Sequence, residues 1–345
     1  MSFTFGVILV AVGGILEGLF SMPVTKVKSW QFENIWCMGS LFALVLLPWP
    51  LTSYYYDDLY ELYSSISNNV LIAVVLSGVA WGIGGIYWGR AIATMGMAVG
   101  VSILMGLINI FGSIVPLAVF EPSQLFTNGG VILIIAVIIM ILGVVIISVA
   151  AKQKENISHD KQKATNQSIV NRNYMSGIFF CIISGILSAG VNFAFIFGKP
   201  IADNAMALKI PEYATSFAVW SLVFSANFFI NTVYGFYMMA KKGTFKNLRK
   251  GSLTREWLGA VFMGLAWPGG IILYGIGANG MGTHGAYAGF PMMILASILT
   301  GNLVGALGGE WKNSGPKPRR IMLAGVLVLG TAFILLGFST YLMNA

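Results

Sequence analysis

The sequence predicts an all-α integral membrane protein of ten transmembrane helices, built as two five-helix halves of opposite orientation. Three observations predict it. Charged residues make up 9% of the chain and hydrophobic ones 57%, against about 25% charged in a soluble domain. Ten apolar runs approach the roughly 20 residues a helix needs to cross a hydrocarbon core. A glycine- and tryptophan-rich stretch also occurs twice. Gly78, Ala80, Trp81, Gly84, Ile86, Gly89, Met95 and Gly96 recur, in register, as Gly264, Ala266, Trp267, Gly270, Ile272, Gly275, Met281 and Gly282. A weaker echo sets Gly14-Ile15-Leu16-Glu17-Gly18 against Gly185-Ile186-Leu187-Ser188-Ala189.

Taken in order, the runs fall at about 4–22, 34–53, 70–93, 97–118, 131–150, 174–198, 213–240, 257–276, 285–308 and 321–342. Met1-Ser2-Phe3 lacks the basic segment of a signal peptide, so the first run reads as a retained span. Residues 151–173 are polar, carry Lys152, Lys154, Lys161, Lys163 and Arg172, and lack apolar periodicity. They read as a solvated linker between a first half, 1–150, and a second, 174–345. Five spans per half is an odd number, so the halves are inverted relative to each other, as in many secondary transporters.

Orientation follows from Lys and Arg. With the linker in the cytoplasm, only Lys199 and Lys209 of the 20 basic residues fall on the other side. The acidic, tyrosine-rich 54–61 loop joins them there, and both termini are then external. The net charge of +8 thus reads as membrane topology rather than nucleic-acid binding. Cys37 and Cys181 lie in apolar spans with no neighbouring ligands, and read as packing residues. The two histidines support no metal site or catalytic set, and no cofactor is implied.

The glycines spaced i, i+4, such as Gly14/Gly18, Gly85/Gly89 and Gly96/Gly100, bare one helix face and allow close packing. Between Gly82 and Gly89, and between Gly269 and Gly275, they also leave room for a ligand beside Trp81 and Trp267. An indole face suits the C–H face of a sugar, with its N–H free for a hydroxyl. Trp88 and Tyr274 are weaker candidates for that role, since interfacial anchoring suits Trp88 as well. Asn109, Ser188 and Asn192 are mid-span polar groups that either bond across helices or meet hydroxyls, and His284 lies near an outer end. Glu17 is the only carboxylate deep in a span and is the candidate for proton coupling. Pro116, Pro268 and Pro291 are expected to break or kink spans 4, 8 and 9 and free carbonyls toward a cavity.

Residues 23–36 (Pro-Val-Thr-Lys-Val-Lys-Ser-Trp-Gln-Phe-Glu-Asn-Ile-Trp) resemble the first cytoplasmic loop of the L-rhamnose–proton symporters. Trp81-Gly82-Ile83-Gly84 with Met95-Gly96-Met97 is similar to that family too, as are Gly185 to Gly190, Lys199-Pro200 and Glu310 to Gly315. The likeness covers nearly the whole chain. It implies a drug/metabolite-transporter-like fold, a cavity lined by spans 1, 3, 4, 6, 8 and 9, and proton-driven sugar uptake by alternating access. Glu17 belongs to none of these motifs; its role is read from its position alone. The partners expected are a small sugar, L-rhamnose or a similar deoxyhexose, protons and the lipid bilayer of the inner membrane. A permease or exporter of another small polar metabolite is the alternative. A membrane receptor or assembly factor would more naturally carry a sizeable soluble domain.

The charge asymmetry makes a direct prediction. A periplasmic reporter enzyme fused after Ala345 is expected to be active, and the same reporter at Lys163 silent. The reverse pattern of reporter activity would invert the orientation.

Overall fold

The computed structural model describes residues 1–95, 97–162, 174–309, 311–312 and 314–345. Residues 163–173 of the linker, and Gly96, Glu310 and Asn313, which belong to the sequence motifs, lie outside the described residues. Among the described residues the regular structure is helical, and ten helical stretches are long and apolar enough to cross a membrane. These are span 1, Phe3–Val24; span 2, Phe32–Tyr55; span 3, Asn68–Met95; span 4, Val99–Phe120; and span 5, Asn128–Lys154. The second half contributes span 6, Met175–Ala207; span 7, Glu212–Lys242; span 8, Leu253–Gly280; span 9, Gly285–Leu307; and span 10, Pro316–Asn344.

The chain ends share one face: the Met1 ammonium pairs with Glu212 at 3.4 Å, and Asn344 Nδ2 donates to the Met281 carbonyl at 2.8 Å. On the opposite, basic face Lys242 pairs with Glu33 at 2.9 Å. There the buried Glu256 carboxylate accepts from the backbone N–H groups of Lys28, Ser29 and Ser252. The loop after span 1 is thereby tied to the start of span 8, and Trp30 and Trp257 close the tie edge to face at 5.1 Å.

Three departures from the sequence expectation have clear causes. The helix of span 5 runs on from Asn128 to Gln162, so the first part of the polar linker is helical. It needs no apolar stripe because it continues an established helix, adding one hydrogen bond per residue. Span 6 is divided at Ala189 and again at Gly198, and Lys199, expected in a loop, opens a short helix, Lys199–Ala207, with Pro200 in its first turn. Pro268 and Pro291 lie inside continuous helices, Leu258–Gly280 and Gly285–Leu307, rather than at breaks. Packing on both sides of spans 8 and 9 holds these helices through the missing N–H.

The interruptions occur instead at π-helical turns, Phe42–Leu46 and Ile110–Ile114, each followed two residues later by a proline, Pro48 and Pro116. Pro116 cannot donate to the carbonyl of Gly112. That carbonyl accepts from Nδ2 of Asn192 in span 6 at 2.5 Å. Here the expected freeing of a carbonyl by proline is observed, with a protein group capturing it.

Span 1 packs on spans 8 and 9, and span 6 on spans 3 and 4; span 2 packs on spans 7 and 8, span 7 on spans 2 and 3, and span 5 on span 10. The pattern is unchanged when spans 1–5 and 6–10 trade places. Glycine makes the closest approaches. A Cβ on Gly13 would lie 2.5 Å from the Gly270 carbonyl oxygen, and one on Gly190 would lie 2.5 Å from that of Ser77. Away from these contacts Phe5, Ile8, Val12, Leu327 and Ile334 are exposed, the outward belt of a helix bundle that faces hydrocarbon.

Candidate functional site

Spans 1 and 8 meet at mid-membrane because neither carries a side chain at Gly13 or Gly270. That contact fixes the residues one turn further along each helix. A Cβ on Gly270 would lie 3.0 Å from Glu17 Cγ, so Glu17 is laid against span 8. Phe20, one turn beyond Glu17, stacks on Trp267, one turn before Gly270, with ring centroids 5.6 Å apart. The Glu17 atom Oε1 is shut off from solvent and meets no donor among the described residues. In a low-dielectric site such an oxygen is a strong acceptor for a proton or a hydroxyl.

Trp267 is the hub of an aromatic column. Trp81 meets it edge to face at 5.6 Å, and Trp36 lies 5.4 Å away. From Trp81 the column continues to Phe224 at 6.0 Å, Trp220 at 5.7 Å beyond it, and Phe195 stacked on Trp220 at 5.4 Å. Tyr274 follows, 5.4 Å from Phe195, and Phe290 lies 6.0 Å further on. The indole N–H groups of Trp36 and Trp49 donate to Asn231 and Ser225, each at 2.8 Å. Those of Trp81 and Trp267 donate to no described residue. The repeat tryptophans are therefore brought together, each with its donor to spare, and Glu17 lies against Gly270, one turn beyond Trp267.

The room expected around the glycines is only partly there. Gly82 is filled by Ile230 and Asn227, Gly270 by span 1, and Gly275 by Trp220. Gly85 and Gly89 face open space, so their i, i+4 spacing does not serve packing in this conformation. The two indoles also touch, so a sugar enters between them only as they part.

Toward the face of the chain ends, polar residues tie the spans together. Tyr274 OH donates to Asn192 Oδ1, and Asn192 Nδ2 donates to Gly112 O and, at 3.2 Å, to Ala286 O. One amide thus links spans 4, 6, 8 and 9, and both Asn192 and Tyr274 are fully buried. Nearer the surface His284 Nε2 lies 2.7 Å from Glu121 Oε2, and its Nδ1 lies 3.2 Å from Asn344 Oδ1. Tyr287 OH donates to Glu121 Oε1 at 3.1 Å. His284 is thus tied into a surface cluster built from spans 4, 9 and 10, apart from the Trp81–Trp267 pair.

The other candidates are placed as follows. Ser188 packs on Gly84, where a Cβ would lie 2.6 Å from Ser188 Oγ. Gly84 and Ser188 are the positions that the sequence repeat pairs with Gly270 and Glu17. Asn109 is buried, donates to the Met105 carbonyl of its own helix at 2.7 Å, and leaves Oδ1 without a donor. Trp88, two turns from Trp81, packs beside Ala91, Met95, Leu104 and Cys181. Sequence reasoning missed Trp36, Phe20, Glu121 and Asn344. An Asn227/Asn231 pair at i, i+4 was the available signal for a polar partner to Trp36; Glu121, at a span end before Pro122, gave none. Among the described residues no group of His, Cys, Asp or Glu gathers that could hold a metal ion.

A family model described as "L-rhamnose-proton symport protein (RhaT)" matches residues 1–340. A relative from Mannheimia succiniciproducens, named L-rhamnose-proton symporter, is 27% identical over 333 residues, covering 94% of this chain and 95% of its own. Relatives of the same name from Klebsiella pneumoniae and Yersinia pestis are 27% and 29% identical over 342 residues, covering 97% and 96% of both chains.

The Asn192 junction makes a testable claim. Asn192→Leu removes two donated bonds and one accepted one at a buried crossing, and is expected to cost about 1–3 kcal/mol per group left unpaired. Tyr274→Phe, which removes one donor, is expected to cost less. Thermal unfolding in detergent, followed by size-exclusion chromatography, checks the order; equal midpoints for all three proteins would contradict it.

Proposed function

The chain belongs to the L-rhamnose-proton symport family, and we propose that it imports L-rhamnose together with protons by alternating access. The whole-length family match carries this reading, and the mid-membrane cluster says which residues would perform it. L-Rhamnose is a 6-deoxyhexose, so it has a methyl group and C–H faces as well as hydroxyls. Trp81 and Trp267 would pack on the apolar faces and use their spare N–H groups on hydroxyls. Glu17 would load a proton when the site faces outward and release it inward. The surrounding spans would move as two related halves, 1–150 and 174–345, joined by the linker at 151–173. The interchangeable packing pattern and the matched contacts of Glu17 on Gly270 and Ser188 on Gly84 support that division. The basic face is assigned to the cytoplasm, and the chain to the inner membrane with both termini outside, on the distribution of Lys and Arg.

Proteoliposomes test the function directly. Purified protein is expected to accumulate L-rhamnose when the inside is alkaline relative to the outside, and far less without the gradient. Uptake that ignores the proton gradient, or a preference for another solute in a sugar panel, would overturn the reading.

The tryptophan pair is tested by binding. Trp81→Ala and Trp267→Ala are each expected to lose about 1–3 kcal/mol, about 5- to 150-fold in affinity, and Trp→Phe less. Unchanged affinity in both well-folded alanine variants would make them packing residues.

Glu17→Gln separates coupling from binding, because glutamine keeps the shape and much of the hydrogen bonding but cannot release a proton. Gradient-driven accumulation is expected to vanish while sugar binding and exchange persist. Full pH-driven accumulation by this variant would remove Glu17 from the coupling step.

A further inference from the structure

The repeat-related glycines Gly89 and Gly275 stand in opposite surroundings. A Cβ on Gly275 would lie 2.8 Å from Nε1 of Trp220, a ring with no solvent exposure. A Cβ on Gly89 would meet nothing within 4 Å, and the same holds at Gly85 one turn earlier. Span 3 is nevertheless packed on span 7 just before this point, at Gly78 on Val223 and at Gly82 on Ile230 and Asn227. The two spans therefore part from Gly85 onward, toward the basic face. Trp36 of span 2 borders the gap. Its N–H donates to Asn231, one turn beyond Asn227 in span 7, and its ring is only half-buried.

The repeat relates the two tryptophans as well. Gly78 packs on Ala226 of span 7, and its counterpart Gly264 packs on Phe42 of span 2. Matching Ala226 to Phe42 matches Trp220 to Trp36, six residues earlier in each span. In an inverted repeat, a contact made by one half on one face is available to its counterpart on the other face. Trp220 makes its contact here, on the face of the chain ends; Trp36 does not.

We propose that Trp36 is the gate of the basic face: in the alternate conformation its indole leaves Asn231 and packs over Gly85 and Gly89, as that of Trp220 packs on Gly275 here. The inference rests on the reading of the chain as an alternating-access transporter. It explains why two exposed positions in span 3 lack side chains: the bare backbone there receives a ring in the other conformation.

Two leucine variants and a cross-link test it. Gly89→Leu and Gly330→Leu both place a side chain in open space in this structure, so both are expected to purify with wild-type thermal stability. Rhamnose uptake by Gly89→Leu is expected to fall by about tenfold or more, as an overpacked closed state would dictate, while Gly330→Leu transports normally. Wild-type uptake by Gly89→Leu overturns the gate. The second measurement needs no substrate. With Cys37 and Cys181 replaced by serine, Trp36→Cys with Gly89→Cys is expected to cross-link on oxidation in liposomes, and Trp36→Cys with Gly330→Cys is not. Absence of the first cross-link overturns the gate even if uptake is normal. Absence of rhamnose uptake by the unmodified protein, with the cross-link formed, rejects L-rhamnose as the substrate and leaves the gate standing.

Discussion

Backbone-to-backbone contact at glycine is the constraint on which the arrangement depends. Lipid offers no hydrophobic drive for helices to associate, so their cohesion comes from close van der Waals packing and buried hydrogen bonds. Gly13 against Gly270, and Gly84 against Leu187 and Ser188, bring whole helices together, and each brings one polar side chain with it. At the first crossing that side chain is Glu17; at the second, Ser188. The two crossings are built alike, yet one carries an ionisable group and the other a hydroxyl.

Close approach also exposes main-chain carbonyls that no water can reach, and the chain answers them one by one. Asn192 takes the Gly112 carbonyl that Pro116 cannot bond. Ser184 Oγ donates to the Gly84 carbonyl at 2.9 Å, and Ser339 Oγ to that of Gly129 at 2.8 Å. Many of the polar residues scattered through the spans therefore serve the backbone of a neighbouring helix. Glu17 and the indole N–H groups of Trp81 and Trp267 are among the groups that no described residue satisfies, as are Asn109 Oδ1 and Trp220 Nε1.

The number of spans and the residues at the centre were legible in the sequence because they rest on strong local signals. Apolar length marks a span regardless of its neighbours, and a tryptophan repeated in register marks two equivalent places. The pairing of Tyr274 with Asn192 was legible only as two polar candidates, since the contact depends on how span 6 breaks at Ala189. Trp36 was read as part of a loop motif, because nothing local says that a ring in the first turns of span 2 reaches Trp267. Of the break or kink expected at the prolines, no break occurs at Pro268 or Pro291. Whether a proline interrupts a helix depends on the packing around it, so Pro116 followed a wide turn while Pro268 and Pro291 did not.

The buried ring of Trp220 has an energetic consequence for the molecule as a whole. Its Nε1–H meets no acceptor among the described residues and is shut off from solvent, a deficit of about 1–3 kcal/mol for a group of this kind. Opening the face of the chain ends to water would hydrate that donor and remove the deficit. The closed arrangement therefore works against itself by a small, fixed amount, comparable to the few kcal/mol that separate exchanging conformations of one protein. A membrane carrier has to pass between two arrangements without settling in either. In such a carrier, a donor left unsatisfied in the closed arrangement would lower the cost of leaving it.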